Sequence, residues 1–461
     1  MTPDKPRPVS FFIHTYGCQM NVRDSEAAAA LLQRHGFTPA ADALAADVFL
    51  VNSCSVRGKA EDKSLGKLQL IVSQRRQAGR GGVAGIFGCM AQRLGASLTE
   101  RVRGLDVVVG THRLASLPGA LRAALAGAGP VVNVEETNDD FAALSGHLAG
   151  GVSAYVNILF GCDRGCAYCI VPRVRGREHS RTIPDVLEEA RALAAGGVRE
   201  VTLLGQSVMA YGRANSALPE GWVSPRGFKE PLACLLEAVD AVPGLARVRF
   251  TSGHPSGCTP ELVRAMAELP RVCEHMHLPV QSGSDRLLSI MGRGYTAAGY
   301  LDAVRRLRAA MPSLAITSDV IVGFPGETEA DFEATRALMD EAAFDNSYIF
   351  QYSPREGTRA AALADDVPVA EKQRRNRILL DDQNRRGLDL HAPYLGRPLE
   401  VLAAGVSNGN SGRWTGRTRM NQIVIFPPAP GVRAGDIVDV RIENALEQTL
   451  YGVVTAQKEE L

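Results

Sequence analysis

At 461 residues the chain is too long for one ordinary domain, and two or three are expected. The apolar fraction of 45% and charged fraction of 22% are those of a soluble globular protein, and a net charge of +1 excludes any global electrostatic attraction to nucleic acid, so basic surface has to be local. The polar, proline-rich start from Met1 to Pro8 argues against a signal peptide, no apolar run is long enough for a membrane span, and nine cysteines in a chain expected to be cytoplasmic point to metal or redox roles over disulfides.

The first region, residues 9–125, alternates strands and helices. Ser10–Gly17, Asp47–Ser53 and Gly82–Gly88 read as short buried strands, with helical patterns at Asp24–His35 and Glu61–Gln77. This rhythm predicts an open parallel α/β domain. Residues 126–150, rich in Gly, Asn and Asp, read as a linker.

The second region, residues 148–385, offers six strands: Val156–Gly161, Glu200–Gln206, Arg247–Ser252, His275–Val280, Ile316–Val322 and Asn346–Tyr352. Helical patterns such as Pro184–Ala194 and Pro260–Leu269 separate them, which predicts a partial (β/α)6 barrel with its chemistry at the carboxyl ends of the strands. The third region, residues 391–456, has strands at Leu399–Ala403, Gln422–Phe426, Ile437–Ile442 and Thr449–Val454. Turns such as Ser407–Gly412 divide them, and the spacing fits a small C-terminal β-barrel.

The sharpest local signal is Gly161-Cys162-Asp-Arg-Gly-Cys166-Ala-Tyr168-Cys169, where the cysteines are separated by three and then two residues. Such a loop can hold three irons of a 4Fe–4S cluster and leave the fourth without a protein ligand. The open iron can chelate the amino and carboxylate groups of S-adenosylmethionine (SAM). A structural zinc site is the alternative. It needs four ligands, and His179 could supply one, although it follows an Arg-rich stretch and no ligand-like pair.

Cys18, Cys54 and Cys89 each follow a predicted strand of the first region. Such positions converge on one crevice of a parallel sheet, where three thiolates can hold a second cluster. The alternative is three unrelated buried cysteines, which is the reading given to Cys234, Cys258 and Cys273.

Three stretches of the first region resemble the N-terminal domain of methylthiotransferases: Thr15-Tyr-Gly-Cys18-Gln-Met-Asn-Val-Arg-Asp-Ser-Glu26, Asn52-Ser-Cys54-Ser-Val-Arg57 and Gly88-Cys89-Met-Ala-Gln-Arg93. The Cys162–Cys169 loop with Ile170-Val-Pro-Arg-Val-Arg-Gly-Arg-Glu-His-Ser-Arg181 resembles the radical SAM core of that family, as do His277–Asp285 and Asp319–Glu327. The C-terminal barrel is similar to a TRAM domain, an RNA-binding module. The unbroken Tyr-Gly-Cys-Gln-Met-Asn-Val-Arg-Asp-Ser-Glu run resembles the group acting on isopentenylated adenosine of tRNA. Relatives acting on threonylcarbamoyladenosine or on a ribosomal-protein aspartate usually differ there. A departure is Thr251-Ser-Gly253-His-Pro255, where the family commonly has Ser before His-Pro.

The resemblance implies two 4Fe–4S clusters, at Cys162, Cys166 and Cys169 and at Cys18, Cys54 and Cys89, with SAM as cosubstrate. It implies cleavage of SAM to a 5′-deoxyadenosyl radical and methylthiolation of C2 of the isopentenylated adenosine at position 37 of tRNA. Tyr168, Gln206 and Gly323 become candidates for contacting SAM. tRNA, an electron donor such as a flavodoxin-type protein, no membrane and a monomeric state complete the expectation. The rival of another class is a non-catalytic iron–sulfur, RNA-binding redox sensor, which would need neither an open-iron loop nor a six-strand barrel.

Three basic groups stand out: Arg173, Arg175, Arg177 and Arg181; Arg57, Lys59, Lys63, Lys67, Arg75 and Arg76; and Arg413-Trp414-Thr-Gly-Arg417-Thr-Arg419. Guanidinium groups can pair with phosphates and a Trp face can stack on a base, although each group taken singly also reads as a solvated face. Lys372–Arg377 reads as a solvated helix face, and His14, His35 and His112 as structural or solvent-facing.

Overall fold

A computed structural model describes residues 7–55, 58–79, 81–136, 145–148, 150–407, 409 and 412–457, with the side chains of 58–60 aside. Arg57, the Lys59 side chain, positions 408, 410 and 411 of the expected turn and 137–144 and 149 of the expected linker therefore lie outside the described residues. The chain divides into two units: residues up to 149 with 160–163 and 170–178, and 150–159 with 164–169 and 179 onward.

In the first unit β1 (Ser10–Tyr16), α1 (Gln19–Arg34), β2 (Thr38–Pro39), β3 (Val48–Ser53), α2 (Gly58–Gln77), β4 (Val83–Phe87), α3 (Cys89–Leu94), α4 (Ser97–Arg101), β5 (Val107–Val109), α5 (Leu117–Leu125) and β6 (Val131–Asn133) follow in order. The strands form a parallel sheet, β2-β1-β3-β4-β5-β6. The run Val48-Phe-Leu-Val51 is buried throughout because helices cover both faces. Val48 and Leu50 pack with Ala28 and Leu32 of α1 and Leu121 of α5, while Phe49 and Val51 pack with Leu68 and Ile71 of α2. The stretch read as a linker thus contributes β6. Its two valines are enough to extend the sheet edge, but too short a run to stand out among the surrounding glycines.

The barrel begins with β7 (Ser153–Asn157), three residues earlier than expected. The short pieces β8 (Leu159–Phe160), α6 (Val171–Arg175) and β9 (His179–Ser180) flank the second cysteine loop in sequence. Then come α7 (Ile183–Ala195), β10 (Glu200–Leu204), α8 (Pro231–Asp240), β11 (Arg247–Phe250), α9 (Pro260–Glu268), β12 (His275–His277), α10 (Asp285–Ile290), α11 (Ala297–Ala310), β13 (Ala315–Val322), α12 (Glu329–Ala342) and β14 (Asn346–Gln351). Strands β7-β10-β11 and β12-β13-β14 form two parallel ladders, joined beside β11 by a parallel bridge between Val248 and Val272. Among the described residues no ladder joins β14 to β7, so the barrel is partial. Thr182, Thr259, Thr296 and Thr328 start α7, α9, α11 and α12, each hydroxyl accepting a first-turn N–H. Along β13, Ile316, Ser318, Val320 and Val322 are buried and Thr317, Asp319 and Ile321 are half-buried, the alternation of a wall with helices on one side.

The long helix α13 (Val369–His391) leads to a closed barrel of β15 (Pro398–Val406), β16 (Trp414–Arg417), β17 (Ile423–Phe426), β18 (Ile437–Ala445) and β19 (Thr449–Gln457), ordered β15-β16-β17-β19-β18. Val401, Val424, Phe426, Val440 and Leu450 fill it. β16 escapes the sequence pattern because its four residues include Gly416 and Arg417 and look like a basic turn. Its hairpin with β17 docks at the amino ends of the larger barrel's strands. Arg247 donates to the Arg417 carbonyl (2.6 Å), and Arg249 donates to the carbonyls of Thr418 (2.7 Å) and Arg419 (2.6 Å). Arg419 in turn pairs with Glu274 at 2.7 Å.

Two expectations change here. Arg419 is committed to this junction, and Arg417 to the carbonyl and side chain of Asn421. Trp414 is half-buried near Phe426, so the segment is mainly a docking hairpin, and only Arg413 and Arg417 stand exposed. Lys372 and Arg375 are buried, bound to Asp365 and Glu327, so α13 does not present a fully solvated face over 372–377. Among the described residues no helix is long and apolar enough to cross a membrane.

Candidate functional site

The first unit gathers its three cysteines by topology. β1, β3 and β4 are neighbours and parallel, so the loops leaving their carboxyl ends are adjacent. The strand order reverses between β1 and β3, the switch point at which open α/β sheets leave a crevice. Cys18 caps α1, Cys54 follows β3 and Cys89 begins α3.

Two asparagines lock the loops together. Asn21 accepts from the Cys18 amide (3.3 Å) and donates to Asn52 Oδ1 (3.0 Å), while Asn52 Nδ2 donates to the Asn21 carbonyl (2.8 Å) and Ser25 Oγ (3.0 Å). The Cys54 amide donates to the Tyr16 carbonyl (2.9 Å). Gly88 has φ +94°, and a Cβ there would lie 2.3 Å from Asn52 Oδ1, so the Cys89 loop can approach the clamp only as glycine. Arg93 adds a fork to Glu61 (2.8 and 2.9 Å) and a bond to Ser55 Oγ (3.0 Å), tying the Cys54 and Cys89 loops to α2.

A hydrogen bond between the Cys18 and Cys54 side chains, opposed by burial and helped by the charge of Arg175, brings the Cys18 thiol down to about 6. Burial pushes Cys89 up, against the pull of Arg175, whose Nε donates to Cys89 Sγ at 3.2 Å. Among the described residues no three His, Cys, Asp or Glu side chains are grouped as ligands of a single metal ion. The donor set of three soft thiols, with one already favouring its anion, suits iron–sulfur ligation.

The second cysteine loop is divided between the two units. Within the first unit Cys162 is buried, its amide donating to the Gly176 carbonyl (3.1 Å). Within the second, the Cys169 amide donates to the Cys166 carbonyl (3.2 Å), Ala167 is pinned to the Met291 carbonyl (2.8 Å), and Arg359 holds the Gly165 carbonyl. Arg293, missed in the sequence because Met291-Gly-Arg-Gly294 carries no recognisable motif, donates to Cys166 Sγ (3.2 Å), the Pro279 carbonyl (2.9 Å) and the Tyr295 hydroxyl (3.0 Å). His179, the ligand that a zinc site would recruit, is exposed in β9.

The remaining candidates divide. Tyr168 is half-buried against Leu287, Met291, Phe324 and Tyr352, and burial raises its phenol well above the usual range. Gln206, two residues past β10, has both side-chain amide atoms buried with no hydrogen-bond partner among the described residues, and so does Asn157 at the end of β7. An amide hidden in this way is costly unless something else meets it. Gly323 has a packing role. Its φ is +69°, a Cβ would fall 2.2 Å from Lys372 Cγ, and its N–H donates to Glu327 at 2.6 Å. His254, in the Thr251–Pro255 stretch, is pushed down to about 2 by burial and then by the charges of Arg293, Arg164 and Arg213.

The first arginine group is also divided. Arg175 is paired with Asp24 and Arg181 with Glu189, both at 2.5 Å, leaving only Arg173 and Arg177 exposed. Arg75 is buried, donating to the carbonyls of Ala46 and Gly81. Cys234, Cys258 and Cys273 are core residues, and burial pushes Cys234 up to about 11 and Cys258 up to about 12.

Comparison with known proteins follows this anatomy. Residues 10–110 match the Uncharacterized protein family UPF0004, 156–339 the Radical SAM superfamily and 393–455 the TRAM domain. A radical SAM methyltransferase of Kitasatospora setae, TsrM, shares the fold with a TM-score of 0.57 at 13% identity, over 77% of this chain and 74% of that one. The chain is 44% identical to a tRNA-2-methylthio-N(6)-dimethylallyladenosine synthase of Akkermansia muciniphila, over 96% of this chain and 98% of that protein. It is 42% identical to the protein of that name from Syntrophomonas wolfei, over 98% and 99%. Full-length likeness at this level, with the three matched domains in order, places the chain in the family of tRNA-2-methylthio-N(6)-dimethylallyladenosine synthases, which are radical SAM methylthiotransferases.

Proposed function

We propose that the protein transfers a methylthio group to C2 of N6-isopentenyladenosine at position 37 of tRNA, using two 4Fe–4S clusters and SAM. The observation that carries this reading is the convergence of Cys18, Cys54 and Cys89 at the strand-order switch of the first sheet. A radical SAM enzyme needs one cluster for SAM cleavage, and a second thiolate trio is what a sulfur-inserting member requires.

Cys162, Cys166 and Cys169 hold the cluster that binds SAM, and Cys18, Cys54 and Cys89 the other. When bound, these groups supply a 5′-deoxyadenosyl radical and the sulfur to be transferred; orientation and exclusion of water fall to the protein. Arg293 fixes Cys166 by donating to its sulfur. Gln206 offers SAM an amide without a hydrogen-bond partner among the described residues, and Tyr168 backs the adenine from its apolar nest. Gly323 acts by letting the loop after β13 close against Lys372. The exposed Arg413, Arg433 and Arg441 of the C-terminal barrel meet tRNA phosphates. A flavodoxin-type donor supplies electrons, and the protein works as a cytoplasmic monomer.

Anaerobically reconstituted protein, given SAM, reductant and isopentenylated tRNA, should yield the methylthiolated nucleoside and 5′-deoxyadenosine. Formation of 5′-deoxyadenosine without any methylthiolated tRNA would sink the substrate assignment.

A further inference from the structure

Arg175 ends α6, whose residues belong to the first unit by packing: Ile170 and Val174 form an apolar cluster with Cys89. Its side chain is buried. Nε donates to Cys89 Sγ at 3.2 Å, and Nη2 donates to Asp24 Oδ2 at 2.5 Å. Asp24 lies on α1, within two turns of Cys18, and its Oδ1 is buried with no partner among the described residues.

Taking a guanidinium out of water is costly and pairing repays it only in part, so an apolar pair of similar volume is often as stable. Fold stability alone therefore gives weak reason for this arrangement. A thiolate gives a stronger one, because a charge-assisted bond from Nε acts on the sulfur itself.

We propose that Arg175 is a positioning residue for the N-terminal iron–sulfur cluster: its Nε fixes the Cys89 sulfur and raises the cluster's reduction potential, with Asp24 holding the guanidinium in place and setting how much of its charge the sulfur feels. The proposal rests on the ligation of that cluster by Cys18, Cys54 and Cys89. Reduction adds negative charge, so a donor or positive charge at a ligand sulfur favours the reduced form. Removing Arg175 lowers the potential, and removing the negative charge of Asp24 raises it.

The test uses the full-length chain with Cys162, Cys166 and Cys169 all changed to Ala, so that the N-terminal cluster is observed alone. Iron and sulfide content and an EPR-monitored redox titration are compared for this protein and for added Arg175→Gln, Arg175→Lys and Asp24→Asn changes. Arg175→Gln should move the one-electron equilibrium at least ten-fold toward the oxidised form, a fall of about 59 mV. Arg175→Lys should restore part of that shift, and Asp24→Asn should move the potential upward. A residue that only packed would give no such pair of opposite signs.

Unmoved potentials in both Arg175→Gln and Asp24→Asn would overturn the proposal. If Arg175→Gln retains no iron, Asp24→Asn decides: an upward shift supports the role, and an unchanged potential overturns it. Absence of iron from the parent protein with Arg175 and Asp24 intact would defeat the ligation reading itself, and this role with it.

Discussion

Each cysteine group is served by one buried guanidinium, but the two arginines are balanced differently. In the first unit Arg175 donates to Cys89 and is neutralised by Asp24. In the second, Arg293 donates to Cys166 and otherwise meets the Tyr295 hydroxyl and the Pro279 carbonyl, with no carboxylate paired to it among the described residues. The local sum of charges is therefore near zero at one sulfur and positive at the other. On the proposed ligation, Asp24 tempers the positive charge that the Cys89 sulfur feels, while Arg293 acts on the Cys166 sulfur without such a counter-ion among the described residues. The same residue type serves both groups, and the counter-ion is what distinguishes them.

The largest expected effect separates the two sites outright. Cys166→Ala should abolish 5′-deoxyadenosine formation, roughly a hundred-fold or more below wild type if the open iron is essential. It should leave the N-terminal cluster in place. Changing Cys18, Cys54 and Cys89 together should keep about half the iron, from two equal clusters, and preserve SAM cleavage. Iron analysis and product chromatography read both. Loss of all iron from either variant would mean that the two sites are not independent.

The next effect tests the clamp found only at the first site. Asn52→Ala leaves the Asn21 side-chain amide without its acceptor in a fully buried place and should cost about 2–3 kcal/mol. Urea unfolding, followed alongside iron retention, checks it, and an unchanged midpoint would remove the clamp from the account.

A smaller effect reports the unbalanced arginine. His254 has an ordinary value of 6.5 and is pushed down to about 2 in the fold, by burial and then by Arg293 and its neighbours. Above pH 6.5 both the folded and unfolded states are neutral there, and nothing is gained or lost. As pH falls below 6.5 the unfolded chain takes a proton that the fold refuses, so stability drops by about 1.4 kcal/mol per unit, or about 2 kcal/mol between pH 7 and 5. His254→Asn should remove that share of the loss. An unchanged pH slope would assign the whole dependence to other groups.

The smallest effect is expected away from either guanidinium. Changing exposed Arg413 and Arg441 to Ala should weaken binding of isopentenylated tRNA modestly and lower the salt slope by about one for each phosphate no longer neutralised. Filter binding at two salt concentrations measures it. Equal slopes would place the phosphate-binding groups elsewhere, with exposed Arg173 and Arg177 the first candidates.

Much of this was legible in the chain because strands and ligands leave local marks. Val48-Phe-Leu-Val51 announces a buried parallel strand, and a cysteine after each of three strands announces convergence before any fold is known. Partnership across the chain leaves no such mark. Arg175 reads as one of four clustered arginines, and only folding brings it to Asp24, so a phosphate-binding reading is natural and, for that residue, mistaken. Arg293 is one arginine between two glycines. Arg419 looks like an RNA-binding residue because Glu274, its counter-ion, lies far away in sequence. Strand β6 is hidden by its brevity, and the buried side of α13, itself expected as a helix, by a basic run only part of which is buried.

The docking of the β16–β17 hairpin carries a consequence for how the protein tolerates change. Arg247 and Arg249 grip the backbone carbonyls of residues 417, 418 and 419. Substitution cannot delete a carbonyl. The two barrels are thus joined by a lock that reads the path of the chain more than the letters written on it. A drifting sequence at the hairpin can keep this junction as long as the turn keeps its shape, whereas loss of either arginine on the other side breaks it at once. Mutational tolerance across the junction should be lopsided: broad at exposed Arg417, narrow at Arg247 and Arg249.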